Sequence, residues 1–154
     1  MAINITADLE KAVREAVDLR KIKPVELDKI AKSVIFEMKD NISGGISPIS
    51  GRRFPAYKNP PSYPGDRKPQ RPVNLDLTGE FLDNLSYRVF QGSKPRIEVG
   101  FYDYKSIKKE QGHRDGANGQ PKRPIIPTGS ETFSRRLLNQ FDKTVSRILK
   151  NALT

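Results

Sequence analysis

Apolar residues recur along this chain in two periods, and each change of period marks a new element. Residues 5–20 place Ile5, Leu9, Ala12, Val13, Ala16 and Val17 on one helical face. Thr6 stands where a cap belongs, with Asp8 and Glu10 near the positive end of the helix dipole. A second helix is predicted within "KPVELDKIAKSVIFEMKDNISGG": Pro24 suits a first helical position, Glu26 and Asp28 lie in the first turn, and Gly44 is the stop. Leu27, Ile30, Ala31, Val34, Ile35, Met38 and Ile42 form its apolar stripe. Both stripes are packing surfaces, and neither helix is assigned any chemistry.

Residues 44–72 break the periodicity. Their seven prolines are barred from helix interiors and central strands, and six Arg or Lys face a single Asp. Phe54, Tyr57 and Tyr63 are interleaved with those cations. Such an extended basic arm can stack on bases, pin itself to a neighbouring protein, or remain a solvated loop. In "VNLDLTGEFLDNLSYRVF", Thr78 is placed to cap a short helix with Phe81, Leu82 and Leu85 inward. After Ser86 the period falls from 3.6 to 2. Tyr87 and Val89 alternate with Arg88 and Phe90, "GSK" turns at 92–94, and "PRIEVGFY" returns as a strand with Ile97, Val99 and Phe101 on one side. The segment "YDYKSIKKEQG" is expected to be a short helix or an irregular stretch leading away from this hairpin. A terminal helix follows: Thr128 and Glu131 have capping-box spacing, and Phe133, Leu137, Leu138, Phe141, Val145, Ile148, Leu149 and Ala152 share a face. Lys143, Arg147 and Lys150 complement its negative end.

The expected fold class is therefore α+β: a small antiparallel sheet packed against a long C-terminal helix, with two N-terminal helices and long Pro/Gly-rich loops. A chain of 154 residues suits one domain, with 1–43 helical, 44–72 the basic arm, and 73–154 the sheet and last helix. Without cysteine it has no disulfide scaffold, thiolate zinc site or cysteine nucleophile. The first residues lack the pattern of a signal peptide and no run is long and apolar enough to span a membrane, so a protein of the cytoplasm, or of a particle assembled there, is expected. The formal charge of +10 points to an acidic partner, or only to solubility.

The one histidine sits in "KEQGHRDGANGQPKRPIIPTG", residues 109–129. Glu110, His113 and Asp115 crowd six residues with no second histidine in the chain, which argues against a zinc site. Nor does a Ser or Cys nucleophile motif accompany His113. "DGANGQ" lacks the ending and context of a P-loop. No catalytic residue, metal ligand or cofactor is expected, and the stretch is expected to be a flexible loop with a basic tip.

The order of motifs carries more than any one residue. A "G-x-x-F…Y-K" segment (Gly51, Phe54, Tyr57, Lys58) leads into "DLTGEFLDNLSYRV", then "IEVGF", "KEQGH" and "KRPIIPTGSE". Over residues 45–150 this series resembles the tail-completion and virion-morphogenesis proteins of tailed bacteriophages, a group that includes the HK97 gp10-like neck proteins. The matching positions are Leu77, Thr78, Gly79, Phe81 and Leu85; Val99 and Gly100; Glu110 and Gly112; Arg123 and Pro124. His113 stands where that family commonly has Thr, and Ile125 where it has Phe. The resemblance implies a structural protein of the virion neck or upper tail, assembled in the host bacterial cytoplasm. It would form or complete a ring at the head–tail junction, with copies of itself and with connector, stopper or tail proteins as partners. Non-specific contact with packaged DNA and no membrane association are also implied. On this reading Glu110 and Gly112 set a turn, Phe54, Tyr57 and Tyr63 make subunit contacts, and Arg114, Lys122 and Arg123 line a partner- or DNA-facing loop. The competing expectation is a small basic single-stranded nucleic-acid-binding protein that uses the same arm.

Overall fold

A computed structural model of the chain describes the backbone of residues 2–4, and residues 22–56, 73, 75, 79–91 and 95–152. The predicted helix over 5–20, Tyr57, Tyr63, Thr78 and the turn at 92–94 lie outside the described residues. The elements run β1 (Ala2–Asn4), α1 (Pro24–Ser43), α2 (Glu80–Asp83), β2 (Ser86–Phe90), β3 (Arg96–Gly100), α3 (Tyr104–Asp115), a 3-10 turn at Ala117–Gly119, and α4 (Arg135–Ala152). This is the expected α+β arrangement, with a small antiparallel sheet packed with the helices.

The sheet has the order β1-β3-β2. The β2–β3 hairpin pairs Tyr87 with Val99 and Val89 with Ile97, so these four residues share one face. Ile97 and Val99 are fully buried there, against α1. The opposite face holds Arg88, Phe90, Arg96 and Glu98, dressed by an Arg96–Glu98 ion pair of 3.1 Å and by guanidinium–ring contacts Arg96–Phe90 and Arg88–Tyr102. That is the division of a sheet with one dry face and one wet face. β1, at the far edge, pairs Ile3 with Val99, which the sequence pattern did not suggest.

The second predicted helix is α1. Pro24 opens it, Gly44 closes it, and the whole apolar stripe from Leu27 to Ile42 is buried. It runs antiparallel to α4, because successive polar contacts step in opposite directions along the two helices. Glu37 accepts a hydrogen bond from the Thr144 hydroxyl, while Asn41 donates from Nδ2 to Gln140 Oε1 at 3.0 Å. The same Asn41 amide also donates to the Glu37 carbonyl at 2.8 Å. Buried polar groups need such partners, and two matched pairs allow only one register between the helices.

Three expectations are corrected. The last helix begins at Arg135, and its cap is Ser134, whose Oγ accepts from Leu137 N at 3.2 Å. Thr128 and Glu131 instead close a separate turn, with Thr128 Oγ1 donating to Glu131 Oε1 at 3.1 Å. Phe133 is buried ahead of the helix, and Ala152 is exposed. Second, "KEQG" belongs to the α3 helix, so Glu110 and Gly112 do not set a turn; the helix ends at Gly116, whose φ is 73°. Third, residues 44–56 are no free arm. An antiparallel bridge between Ile46 and Arg53 folds them into a tight turn, and Phe54 enters the core.

Gly116 has two reasons to be glycine. Besides its positive φ, a Cβ there would stand 2.5 Å from the Gln120 carbonyl oxygen. Gly119 has a similar φ of 71° with nothing within 4 Å of its Cβ position. Gly119→Ala is expected to cost only the left-handed strain, about 1 kcal/mol, and Gly116→Ala at least about 2 kcal/mol more. Urea unfolding of the two variants checks this, and equal losses would remove the steric account.

Candidate functional site

The loop expected to face a partner is instead an internal brace. α3 is capped at its start by Asp103, whose carboxylate accepts from Ser106 N at 2.8 Å. That start fixes the face on which Glu110 and Arg114, one turn apart, point inward. Glu110 is completely buried, and its Oε1 accepts from the backbone N–H groups of Ile125 and Ile126, each at 3.3 Å. Arg114 Nη2 lies 3.5 Å from the same oxygen and also donates to the Ile126 carbonyl; Nη1 donates to Glu131 Oε1 at 2.6 Å. Glu110 Oε2 and Arg114 Nε have no hydrogen-bond partner among the described residues.

Arg123 is buried as well. Its Nε and Nη2 donate to the carbonyls of Pro55 and Ala56, both at 2.9 Å, and its backbone N–H donates to His113 O at 2.6 Å. The expected outward placement of Arg114 and Arg123 is therefore corrected: both cations serve acceptors within the chain. Lys122 alone of the three is exposed. The expectation that Phe54 is free to touch another subunit is corrected too, because it is 7% exposed within the core. Tyr57 and Tyr63, the other aromatics of that expectation, lie outside the described residues.

His113 packs its ring on Phe81, centroid to centroid 5.4 Å, and Phe81 in turn stacks on Phe101 at 4.7 Å. Burial, and then the nearby charges of Arg123 and Lys109, push its pKa down from 6.5 to about 4. A neutral imidazole on an aromatic ring is a packing residue, well oriented despite its glycine neighbours. Among the described residues no group of three His, Cys, Asp or Glu side chains could hold a metal ion, and no helix is long and apolar enough to cross a membrane.

Two outward surfaces remain. On α1, Val25 and Phe36 are 53% and 70% exposed and stand about three turns apart on one face, with Lys29 and Lys32 between them. Near them in kind, though on α3, Tyr104 is 76% exposed. The second surface is the outer side of α4, where Arg135, Arg136, Lys143 and Arg147 are exposed. Neither surface was anticipated from the sequence. Phe36 was legible as an apolar residue off the α1 stripe, and the basic side of α4 as the complement of its apolar face.

No family model, curated protein or solved structure matches the chain. The motif positions of the phage resemblance can nonetheless be located in the fold. Phe81, Leu85, Val99, Glu110 and Arg123 are all buried, and Gly79, with φ 84°, is the N-cap of α2. These are residues that hold the fold together.

Two measurements check these placements. Unfolded chain takes up a proton on His113 as pH falls below 6.5, whereas folded chain does so only near pH 4. Stability present above pH 6.5 is therefore lost between about 6.5 and 4, by an amount on the order of a few kcal/mol. Urea midpoints followed from pH 7 to pH 5 should fall, and His113→Gln should flatten that slope; an unaltered slope would refute the buried neutral imidazole. Phe54→Ala should cost about 3 kcal/mol of stability by leaving a core cavity, and a loss under about 1 kcal/mol would return Phe54 to the surface.

Proposed function

We propose that the chain is a structural virion protein of a tailed phage, which forms or completes a ring at the head–tail junction. The observation that carries this reading is the ordered series of short motifs from Gly51 to Pro124. The architecture is compatible with such a role in one further respect. A small sheet leaves β2 at an edge, with no neighbouring strand among the described residues on its outer side. Unpaired strand edges are satisfied when subunits close into a cyclic assembly.

Phe36 supplies the apolar anchor for such a contact. A large side chain with most of its surface in water is what an interface core requires, and Lys29 and Lys32 beside it provide the polar rim. Neighbouring connector, stopper or tail proteins are the other partners on this reading, and assembly is the whole of its mechanism.

Native mass spectrometry of the chain, at low and high salt, tests the proposal. A closed oligomer of discrete size that survives high salt is expected. Phe36→Asp should convert it to monomer with the melting temperature nearly unchanged, since the residue contributes little to the subunit core. A chain monomeric at every salt and concentration would remove the ring, and an oligomer indifferent to Phe36→Asp would remove this face from it.

A further inference from the structure

We infer that the outer side of α4, together with the turn that abuts its start, is a sequence-independent binding surface for the phosphate backbone of duplex nucleic acid. Two basic pairs far apart in the chain meet there. Arg52 and Arg53 lie in the turn closed by the Ile46–Arg53 bridge. Ser134, just before α4, donates its N–H to the Pro48 carbonyl of that turn at 2.7 Å. The approach is so close that a Cβ on Gly51, whose φ is 69°, would stand 3.1 Å from the Ser134 Cβ. Arg135 and Arg136 follow immediately in α4, so the fold gathers four exposed arginines at one end of the helix.

From Arg136 the charge continues along the helix. Lys143 and Arg147 follow at intervals of seven and four residues, which keeps all three within a narrow arc of the 3.6-residue turn. The row from Arg136 to Arg147 is about 16 Å long at 1.5 Å per residue. Asn139 and Ser146 are exposed beside it, and short polar side chains of this kind also bond phosphate oxygens. The sole acid of α4, Asp142, is only partly exposed. None of Arg52, Arg53, Arg135, Arg136, Lys143 and Arg147 forms an ion pair with a described residue. These cations are thus left to interact with an outside anion.

The surface also selects among anions. Single strands are held by aromatic platforms, yet the large exposed apolar residues of the described chain are Val25, Phe36 and Tyr104, none of them on α4 or its turn. Protein interfaces centre on apolar anchors, which this face equally lacks. A straight row of cations without anchors suits a regular phosphate array, which in duplex DNA carries one charge per about 1.7 Å of axis. The inference holds whether or not the chain closes into a ring.

The test is binding of a fluorescent random-sequence DNA duplex to the full chain across a salt series. The wild type should bind with an affinity that falls steeply with salt. Arg52→Gln/Arg136→Gln/Lys143→Gln/Arg147→Gln should weaken binding on the order of a hundredfold at low salt and reduce the salt slope by roughly three to four. The control with equal charge loss, Lys23→Gln/Lys108→Gln/Lys109→Gln/Lys122→Gln, should change binding by less than about threefold. Equal losses in both variants would mean a diffuse field and overturn the surface. So would absence of duplex binding, tighter binding of a single strand of equal length, or equal binding of polyglutamate. Native mass and melting temperature, unchanged in both variants, separate this result from any failure to fold or assemble.

Discussion

The carboxylate of Glu110 is the constraint on which the rest of the molecule turns. It has no contact with solvent, and the N–H groups it accepts from belong to Ile125 and Ile126, two consecutive residues that are themselves fully buried. The 120–134 segment belongs to no strand or long helix, so its backbone groups find no ladder partners. The buried part of this strap, at Ile125 and Ile126, is tolerated only where side chains supply the missing bonds. α3 supplies them in both senses: Glu110 takes the donors, and Arg114 serves the Ile126 carbonyl and the Glu131 carboxylate. The segment then delivers Phe133 to the core and Ser134 to the start of α4, where Phe133 meets Phe141 edge to face at 5.6 Å. Charge inside the protein thus positions α4, the helix that packs on α1. Because a buried ion costs several kcal/mol to dehydrate, loss of either partner would leave the other uncompensated.

Much of the fold was legible because most of its elements obey a period. The α1 stripe, its proline start and glycine end, and the alternation of Tyr87, Val89, Ile97 and Val99 all follow from which positions must be dry. α3 resisted the same reading for a physical reason. Its buried positions include Ser106 and Glu110, with Ile107 the one aliphatic residue in the helix, so no apolar face announces it. The cap at Asp103 and the four-residue spacing of Glu110 and Arg114 were the available signals. The start of α4 misled in the opposite way. Thr128 and Glu131 satisfy the spacing of a capping box, but Glu131 is drawn to Arg114, and Ser134, further along the chain, caps the helix.

The candidate site was less legible than the fold, since composition counts charges without saying which way they point. Among cations assigned to one loop, Lys122 is exposed while Arg114 and Arg123 are committed to internal acceptors. Arg123 bonds the carbonyls at the base of the proline-rich stretch, where prolines leave the backbone with acceptors and few donors to balance them. An inward arginine is a reasonable solution there, and it needs a neighbour far away in sequence that periodicity cannot reveal. His113 tells the same story: Glu110 and Asp115 are its acidic neighbours in sequence, whereas in space it meets Phe81.

Two separate roles for charge follow. Inside, Arg114 and Arg123 have defined acceptors, and their value lies in fixing one path for the strap. Outside, Arg52, Arg53, Arg135, Arg136, Lys143 and Arg147 form no ion pair with a described residue, and they gather along α4 and at the 52–53 turn. The positions of the motif series fall on the inner side of that division: Phe81, Val99, Glu110 and Arg123 belong to the interior. A resemblance carried by such residues speaks first to architecture, because any function that reuses the architecture must keep them. What this chain touches has to be sought on its exposed faces, where Phe36 offers an apolar anchor and α4 offers a row of cations without one. Surfaces so different in chemistry suit different partners, since an apolar anchor calls for a protein surface and a row of cations without one calls for a polyanion.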